Sequence, residues 1–264
     1  MDLNQNLKAN QNILDMEYAV RGRVAQRAAQ MAREGREIIP CNIGNPQALG
    51  QTPLTYLRET ISLLENPKLI SRERELKELF EDTPGCDLKE QDFIPDDILE
   101  LCESLLSKSR HGLGAYTESK GFLFVREAIA DFINQRDDHQ AETTGCSNPD
   151  HIFLTNGASQ GATFMIDILI SGPKDGIMIP IPQYPLYSAT IKKAGGTQIN
   201  YYPNEEQGWA FDRSVLEDSY NQAVADGVKP KAIVVINPGN PTGSILSAES
   251  ILEIVDFAED HNLI

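Results

Sequence analysis

Apolar residues recur at two spacings along this chain, and the spacing changes near Gly121. Upstream the helical period dominates. Met16, Ala19, Val20 and Val24, with arginines between them, predict a helix over 15–34 that Gly35 ends, and a second helix is predicted over 54–64. Between them 38–42 reads as extended, and Gly44-Asn45-Pro46 as a turn. The charge-rich stretch 66–97 is interrupted by Pro67, Pro84 and Pro95, which predicts short surface helices and no separate domain; an amphipathic helix over 97–106 follows. Downstream, short apolar runs alternate with helical patterns. Strands are predicted at 152–155, 176–180, 198–202 and 232–236, and helices at 122–134, 159–170, 187–194, 213–225 and 248–260. Such alternation predicts a doubly wound α/β domain with a mostly parallel sheet, on which ligands bind at the carboxyl ends of the strands. The segments after Thr155, Pro180 and Ile236 should therefore face one crevice.

Charge narrows the partners. With 39 acidic and 23 basic residues the net charge is −16, which argues against a nucleic-acid backbone or an anionic membrane surface as partner. No uncharged apolar run approaches the roughly 18 residues of a membrane span. The cysteines, Cys41, Cys86, Cys102 and Cys146, show neither a C-x-x-C pair nor metal-ligand spacing, so no metal site is expected. The first 13 residues have no apolar core for a secretory signal, and a cytoplasmic location is expected.

Three loops after predicted strands carry candidate chemistry. In Thr155-Asn156-Gly157-Ala158-Ser159-Gln160-Gly161, helix-start amides and the Ser159 hydroxyl suit a phosphate, although Ser159 could equally cap the helix. The spacing is not that of a dinucleotide fingerprint. In Pro180-Ile181-Pro182-Gln183-Tyr184-Pro185-Leu186-Tyr187, the prolines stiffen a path that presents Tyr184, either to stack on a planar ring or to pack on the next helix. The most specific is Asn237-Pro238-Gly239-Asn240-Pro241-Thr242-Gly243, two Asn-Pro turns and two glycines that make a rigid corner holding the Asn240 amide where the strands open.

With Cys41-Asn42-Ile43-Gly44-Asn45-Pro46-Gln47, Gly114-Ala115-Tyr116 and Tyr201-Tyr202, these strings, in this order, resemble the fold-type I aminotransferases that use pyridoxal 5′-phosphate, and within them the alanine aminotransferase group. The resemblance runs from about Met31 to Ile264. It implies a three-layer α/β/α large domain, of which 121–264 is the first part, preceded by a helical arm and part of a small domain in 1–120. It further implies that Gly157, Ala158 and Ser159 hold the cofactor phosphate, Tyr184 lies flat on the pyridine ring and Asn240 binds its phenolic oxygen. Gly44 would offer its backbone to the substrate carboxylate. Tyr116 would reach the phosphate of the other subunit's cofactor, which implies a homodimer. The substrates implied are an amino acid and a 2-oxo acid, L-alanine and 2-oxoglutarate giving pyruvate and L-glutamate.

In the family, the Schiff-base lysine, the aspartate at the pyridine nitrogen and the carboxylate-gripping arginine follow later in the fold, so all are expected beyond Ile264, and residues 1–264 are expected to be inactive and to fold poorly alone. Ser107-Lys108-Ser109 superficially resembles the lysine motif. However, Lys108 precedes the phosphate turn and reads as a helix-terminal cation. Three alternatives stay open: a glyoxylate-using aminotransferase, a lyase like aminocyclopropane-carboxylate synthase, and a non-catalytic truncated product.

Overall fold

The computed structural model describes residues 9–18, 22–39, 44–81, 83, 93–109, 112–114, 116–137, 147–210 and 212–264. They form two compact units, Met1–Gly44 with Thr155–Ile264, and Asn45–Leu154.

The first unit is built on three parallel strands, β1 (Asp175–Pro180), β2 (Thr197–Tyr201) and β3 (Lys229–Ile233), in the order β2-β1-β3. Strand β1 lies between the others and is buried from Gly176 through Pro180. Successive side chains of a strand point to opposite faces, and here the two faces feed two cores. Met178, Ile199 and Tyr201 pack with Leu216 and Ala223 of α9 (Arg213–Ala225) and with Ile254 and Phe257 of α10 (Ala248–Asp260). Ile177, Ile179 and Ala232 turn the other way, onto Ile166 of α7 (Ala158–Leu169), its C-cap Ile170, and Ile191 of α8 (Leu186–Ala194). The result is the expected α/β/α layering, each fully buried aliphatic side chain contributing about 1.5 to 3 kcal/mol. Gly176 is required where it stands: a Cβ there would lie 2.5 Å from Ile199 Cδ1 and 2.7 Å from Val228 Cγ1.

Two predicted strands need correction. Residues 152–155 join no ladder; Leu154 donates its amide to the Lys120 carbonyl at 2.9 Å, and Phe153 is exposed. The strand predicted at 232–236 begins three residues earlier, at Lys229, because pairing with β1 extends to the charged rim, where Lys231 meets Asp175 at 3.5 Å. Pairing still carries one step past β3, the Val234 amide reaching the Met178 carbonyl at 2.8 Å. On the other side of β3, the Ile264 amide donates to Lys231 at 3.1 Å and its carbonyl accepts from Ile233 at 2.9 Å.

The single helix predicted over 15–34 is also corrected. Asn10 caps the short α1 (Gln11–Leu14), residues 16–18 are not helical, and α2 (Arg23–Arg33) starts from Gly22. Gly22 interrupts an otherwise helical pattern, and residues 19–21 lie outside the described residues. Gly35, at φ +83°, ends α2 as expected, the Arg36 amide turning back to the Met31 carbonyl at 3.0 Å. The predicted extended run 38–42 falls partly on residues 40–42, outside the described residues.

In the second unit, Asn45 caps a short 3-10 turn, Pro46–Leu49, before α3 (Thr55–Glu65), α4 (Lys68–Glu81), α5 (Asp96–Ser107) and α6 (Leu123–Arg136). Here α4 corrects the reading of 66–97 as short helices, while its surface position is as expected, Ile70 being its one buried residue. It runs 14 residues and buries Ile70 with Leu63, Ile98, Leu99 and Cys102. Pro67 precedes it and Pro95 caps α5, so those prolines bound helices and break none. Arg126 of α6, its side chain 3% exposed, donates to the Gly121 carbonyl at 3.0 Å, the Pro149 carbonyl at 2.7 Å and Glu118 Oε2 at 2.6 Å, which knits the loop before α6 to the segment around Pro149. Among the described residues no helix is long and apolar enough to cross a membrane, and no cluster of His, Cys, Asp or Glu suits a metal.

Candidate active site

The carboxyl ends of β1 and β3 open onto a narrow crevice whose enclosed volume is about 20 Å³. It is lined by Pro180 and Pro182 after β1, by Trp209, and by the corner that follows β3, including Gly239, Asn240 and Thr242. The corner is built as its composition suggests. A Cβ on Gly239 would lie 2.3 Å from Thr242 Oγ1, and Gly243 takes φ +71°, so both glycines are demanded by geometry. The Gly243 amide reaches the Gly239 carbonyl at 2.7 Å, and the Gly239 amide the Ser244 carbonyl at 2.8 Å. The peptide bonds before Pro182, Pro238 and Pro241 are cis.

The two asparagines of the corner divide the work. Asn237 Oδ1 accepts the Leu246 amide at 3.1 Å and so closes the loop on itself. The Asn240 amide engages no described residue and stands exposed in the cleft. An exposed, unengaged carboxamide on a rigid corner is available to a ligand at no cost in loop structure.

The turn before α7 is a glycine N-cap. Gly157 takes φ +81°, no side chain caps the helix, and Ser159 is already its second residue. This removes the alternative in which Ser159 caps the helix; Ser159 is exposed, and the Gln160 amide turns back to the Gly157 carbonyl at 3.2 Å. The turn is pinned from behind, Asn156 donating its amide to Gln160 Oε1 at 2.6 Å and Thr155 its hydroxyl to the Gly157 carbonyl at 3.0 Å. Gly157, Ala158 and Ser159 are not among the residues that line the Asn240 cleft, nor is Tyr184.

Tyr184 sits between Pro182 and α8. Its Oη lies 2.7 Å from Tyr18 Oη, and the two rings meet nearly perpendicular, with centroids 6.4 Å apart. Tyr18 was not legible as a site residue, because 166 positions separate the pair and no local pattern marks it. Trp209 was also passed over; the one tryptophan of the chain lines the Asn240 cleft at φ +67°.

Gly44 is exposed, with open space where a Cβ would stand. In the second unit Tyr116 takes φ +56° and is fully exposed. Lys108 lies at the C-cap of α5 with Nζ 6.0 Å from the centre of the Phe124 ring, as a helix-terminal cation would.

The family model for aminotransferase class I and II matches residues 86–264. The chain belongs to this family. It is 42% identical over 255 residues to glutamate–glyoxylate aminotransferase 2 of Arabidopsis thaliana, covering 97% of this chain and 49% of that protein. It is 37% identical over 266 residues to human alanine aminotransferase 1, covering 96% and 49%. The chain thus spans about half the length of the curated relatives it matches. Among solved structures, an alanine aminotransferase from Pyrococcus furiosus superposes with a TM-score of 0.65 at 23% identity, over 97% of this chain and 50% of that one. At that identity the match speaks to the fold, and the aminotransferase fold is the one the sheet and its layers display.

Proposed function

We propose that this chain supplies the cofactor-binding part of a pyridoxal-phosphate-dependent aminotransferase that moves an amino group between L-alanine and 2-oxoglutarate. The observation that carries the reading is the unengaged Asn240 amide on a glycine-demanding corner at the carboxyl ends of β1 and β3. A pyridine ring bearing a phenolic oxygen and a phosphate fits the residues present. The α7 start has no side-chain cap, which suits the Ala158 and Ser159 amides and the exposed Ser159 hydroxyl to an anion, and the free carboxamide suits an oxygen anion.

In this reading Gly157, Ala158 and Ser159 hold the phosphate, whose charge is favoured at a helix N-terminus. Asn240 donates to the phenolic oxygen, Tyr184 presents an aromatic face, and Gly44 gives its backbone to the substrate carboxylate. Tyr116 extends to the phosphate site of a second subunit, so the working form is a homodimer. Pyridoxal phosphate, when bound, acts as the electron sink for an amino acid losing its α-proton. The chain's own contribution is to anchor and orient that group. A cytoplasmic location belongs to the same proposal.

A second reading, a glyoxylate-using enzyme, is favoured by the similarity to the Arabidopsis glutamate–glyoxylate aminotransferase at 42% identity. Assaying the holoenzyme with alanine and 2-oxoglutarate beside glutamate and glyoxylate separates the two. Absence of amino transfer with any amino donor overturns both.

A further inference from the structure

We propose that Tyr18 is a positioning residue for Tyr184: the N-terminal arm carries a phenol onto the phenol of the ring-bearing loop and so fixes the plane in which that ring lies. This rests on the reading that Tyr184 faces the cofactor ring, and deepens it.

A tyrosine ring has two soft motions. Rotation about χ1 swings the whole ring, whereas rotation about χ2 spins it about an axis that passes through Oη. A hydrogen bond at Oη therefore arrests the swing and leaves the spin free. The Tyr18 contact supplies both restraints. Its Oη at 2.7 Å holds the end of the axis, and its ring, set at 81° with centroids 6.4 Å apart, meets the Tyr184 ring in an edge-to-face arrangement that favours this orientation over others about χ2. Both residues are half-buried.

The arm is itself tethered. Asp15 pairs with Lys192 at 3.7 Å, and Asn12 lies so close over Gly195 that a Cβ there would come within 2.8 Å of Asn12 Nδ2. These anchors grip the C-terminal end of α8, whereas Tyr184 precedes its N-terminal end. Nine helical residues span about 13 Å, and the three residues from Asp15 to Tyr18 reach about 10 Å when extended. The arm thus runs back along α8 and ends on Tyr184. From the loop's own side, Gln183 Nε2 donates to Ser188 Oγ at 3.0 Å and Ser188 Oγ to the Pro185 carbonyl at 3.2 Å, which fixes the backbone beside Tyr184 and leaves its ring to Tyr18.

The test compares Tyr18→Phe, Tyr184→Phe and the double variant in the holoenzyme, with Tyr184→Ala as reference. Tyr18→Phe keeps the ring and removes the bond. The readouts are the dissociation constant of pyridoxal phosphate, the induced visible circular dichroism of the bound cofactor, which follows ring orientation, and the melting temperature without cofactor. We expect Tyr18→Phe to weaken cofactor binding about 3- to 10-fold, as loss of one hydrogen bond implies, and to lower the dichroic band, with the cofactor-free melting temperature falling equally in Tyr18→Phe and Tyr184→Phe, which break the same bond. Tyr184→Phe should do the same, and the double variant no more than either. Unchanged binding and dichroism in Tyr18→Phe, with Tyr184→Ala impaired, overturns the role of Tyr18 alone. So do additive effects in the double variant. Unchanged cofactor binding in Tyr184→Ala overturns the parent reading and this inference with it.

Discussion

The Tyr201 hydroxyl donates to the Val234 carbonyl at 2.6 Å, so the last residue of β2 holds the segment that leaves β3. Tyr201 is fully buried, and burial pushes its phenol above the usual value. Tyr201→Phe removes the donor and lowers unfolding free energy by roughly 1 to 3 kcal/mol, read as a lower urea midpoint at unchanged slope. The pH dependence follows from the direction of the shift. An unfolded tyrosine ionises near pH 10, whereas the folded one keeps its proton to higher pH. Stability is therefore complete below about pH 10 and declines as pH rises above it, and the variant shows less of this alkaline decline.

The asparagines of the corner give opposite outcomes. Asn237→Ala leaves the Leu246 amide without its acceptor and destabilises the fold by about 0.5 to 1.5 kcal/mol. Asn240→Ala changes no bond within the chain, so melting without cofactor should match the parent while turnover of the holoenzyme falls. Equal melting and equal turnover for Asn240→Ala would remove it from the site.

Gly239→Ala should destabilise the corner by forcing the Thr242 and Ser244 hydroxyls aside and breaking their mutual contact at 2.8 Å. Its Cβ cannot share space with Thr242 Oγ1 at 2.3 Å and Ser244 Oγ at 2.7 Å. Truncating both neighbours in Thr242→Ala with Ser244→Ala should recover part of the lost melting temperature, which direct melting of the triple variant checks.

Why some of this architecture was legible and some was not comes down to range. Helix α10 announces itself locally through its apolar period and Ser247, whose Oγ accepts the Ser250 amide at 3.1 Å, and α9 does so through its cap Asp212. Strand β1 is an uninterrupted apolar run because both its faces are covered. An apolar run does not name its ladder partner, however. Residues 152–155 have the composition of a buried strand, yet Phe153 is exposed, and their backbone bonds go to Pro149, Lys120 and Gly157 and to no strand. The start of β3 was misplaced for the converse reason, since Lys229 and Lys231 look like loop but pair at the rim. At the site, Asn240 was legible from its motif and the unengaged state of its amide was not, because which asparagine closes the loop depends on Leu246, nine residues from Asn237.

Acid should weaken the fold through identifiable carboxylates. The Ser214 amide holds Asp212 below the usual carboxylate range, the Ser171 amide does the same for Asp175, and the Lys77 ammonium for Asp96. With folded values depressed, their contribution is fully present above about pH 4, where unfolded carboxylates ionise, and is lost as pH falls through the folded values. Asp212→Asn keeps a good helix cap and removes the titration. Its urea midpoint should therefore fall less than the parent's between neutral pH and pH 3.

The last expectation concerns covalent capture of the cofactor by residues 1–264. Among the described residues no lysine lines the Asn240 cleft. Lys174 precedes β1 and Lys229 opens β3, opposite the carboxyl ends that open onto the cleft, whereas Lys231, midway along β3, is paired with Asp175 and Lys192 and Lys193 with Asp15 and Asp167. A strand of five or six residues is about 16 to 20 Å long, whereas a lysine side chain extends roughly 6 Å, so Lys174 and Lys229 cannot reach from one end to the other, and Lys231 is engaged by Asp175 at the amino rim. A polypeptide of residues 1–264 mixed with pyridoxal phosphate should show no alanine-dependent amino transfer. After borohydride reduction, peptide mass spectrometry should find only scattered, substoichiometric pyridoxyl labels. Stoichiometric labelling of one lysine together with turnover would mean that the chain carries its own reactive amine, and that the cleft is not where the chemistry occurs.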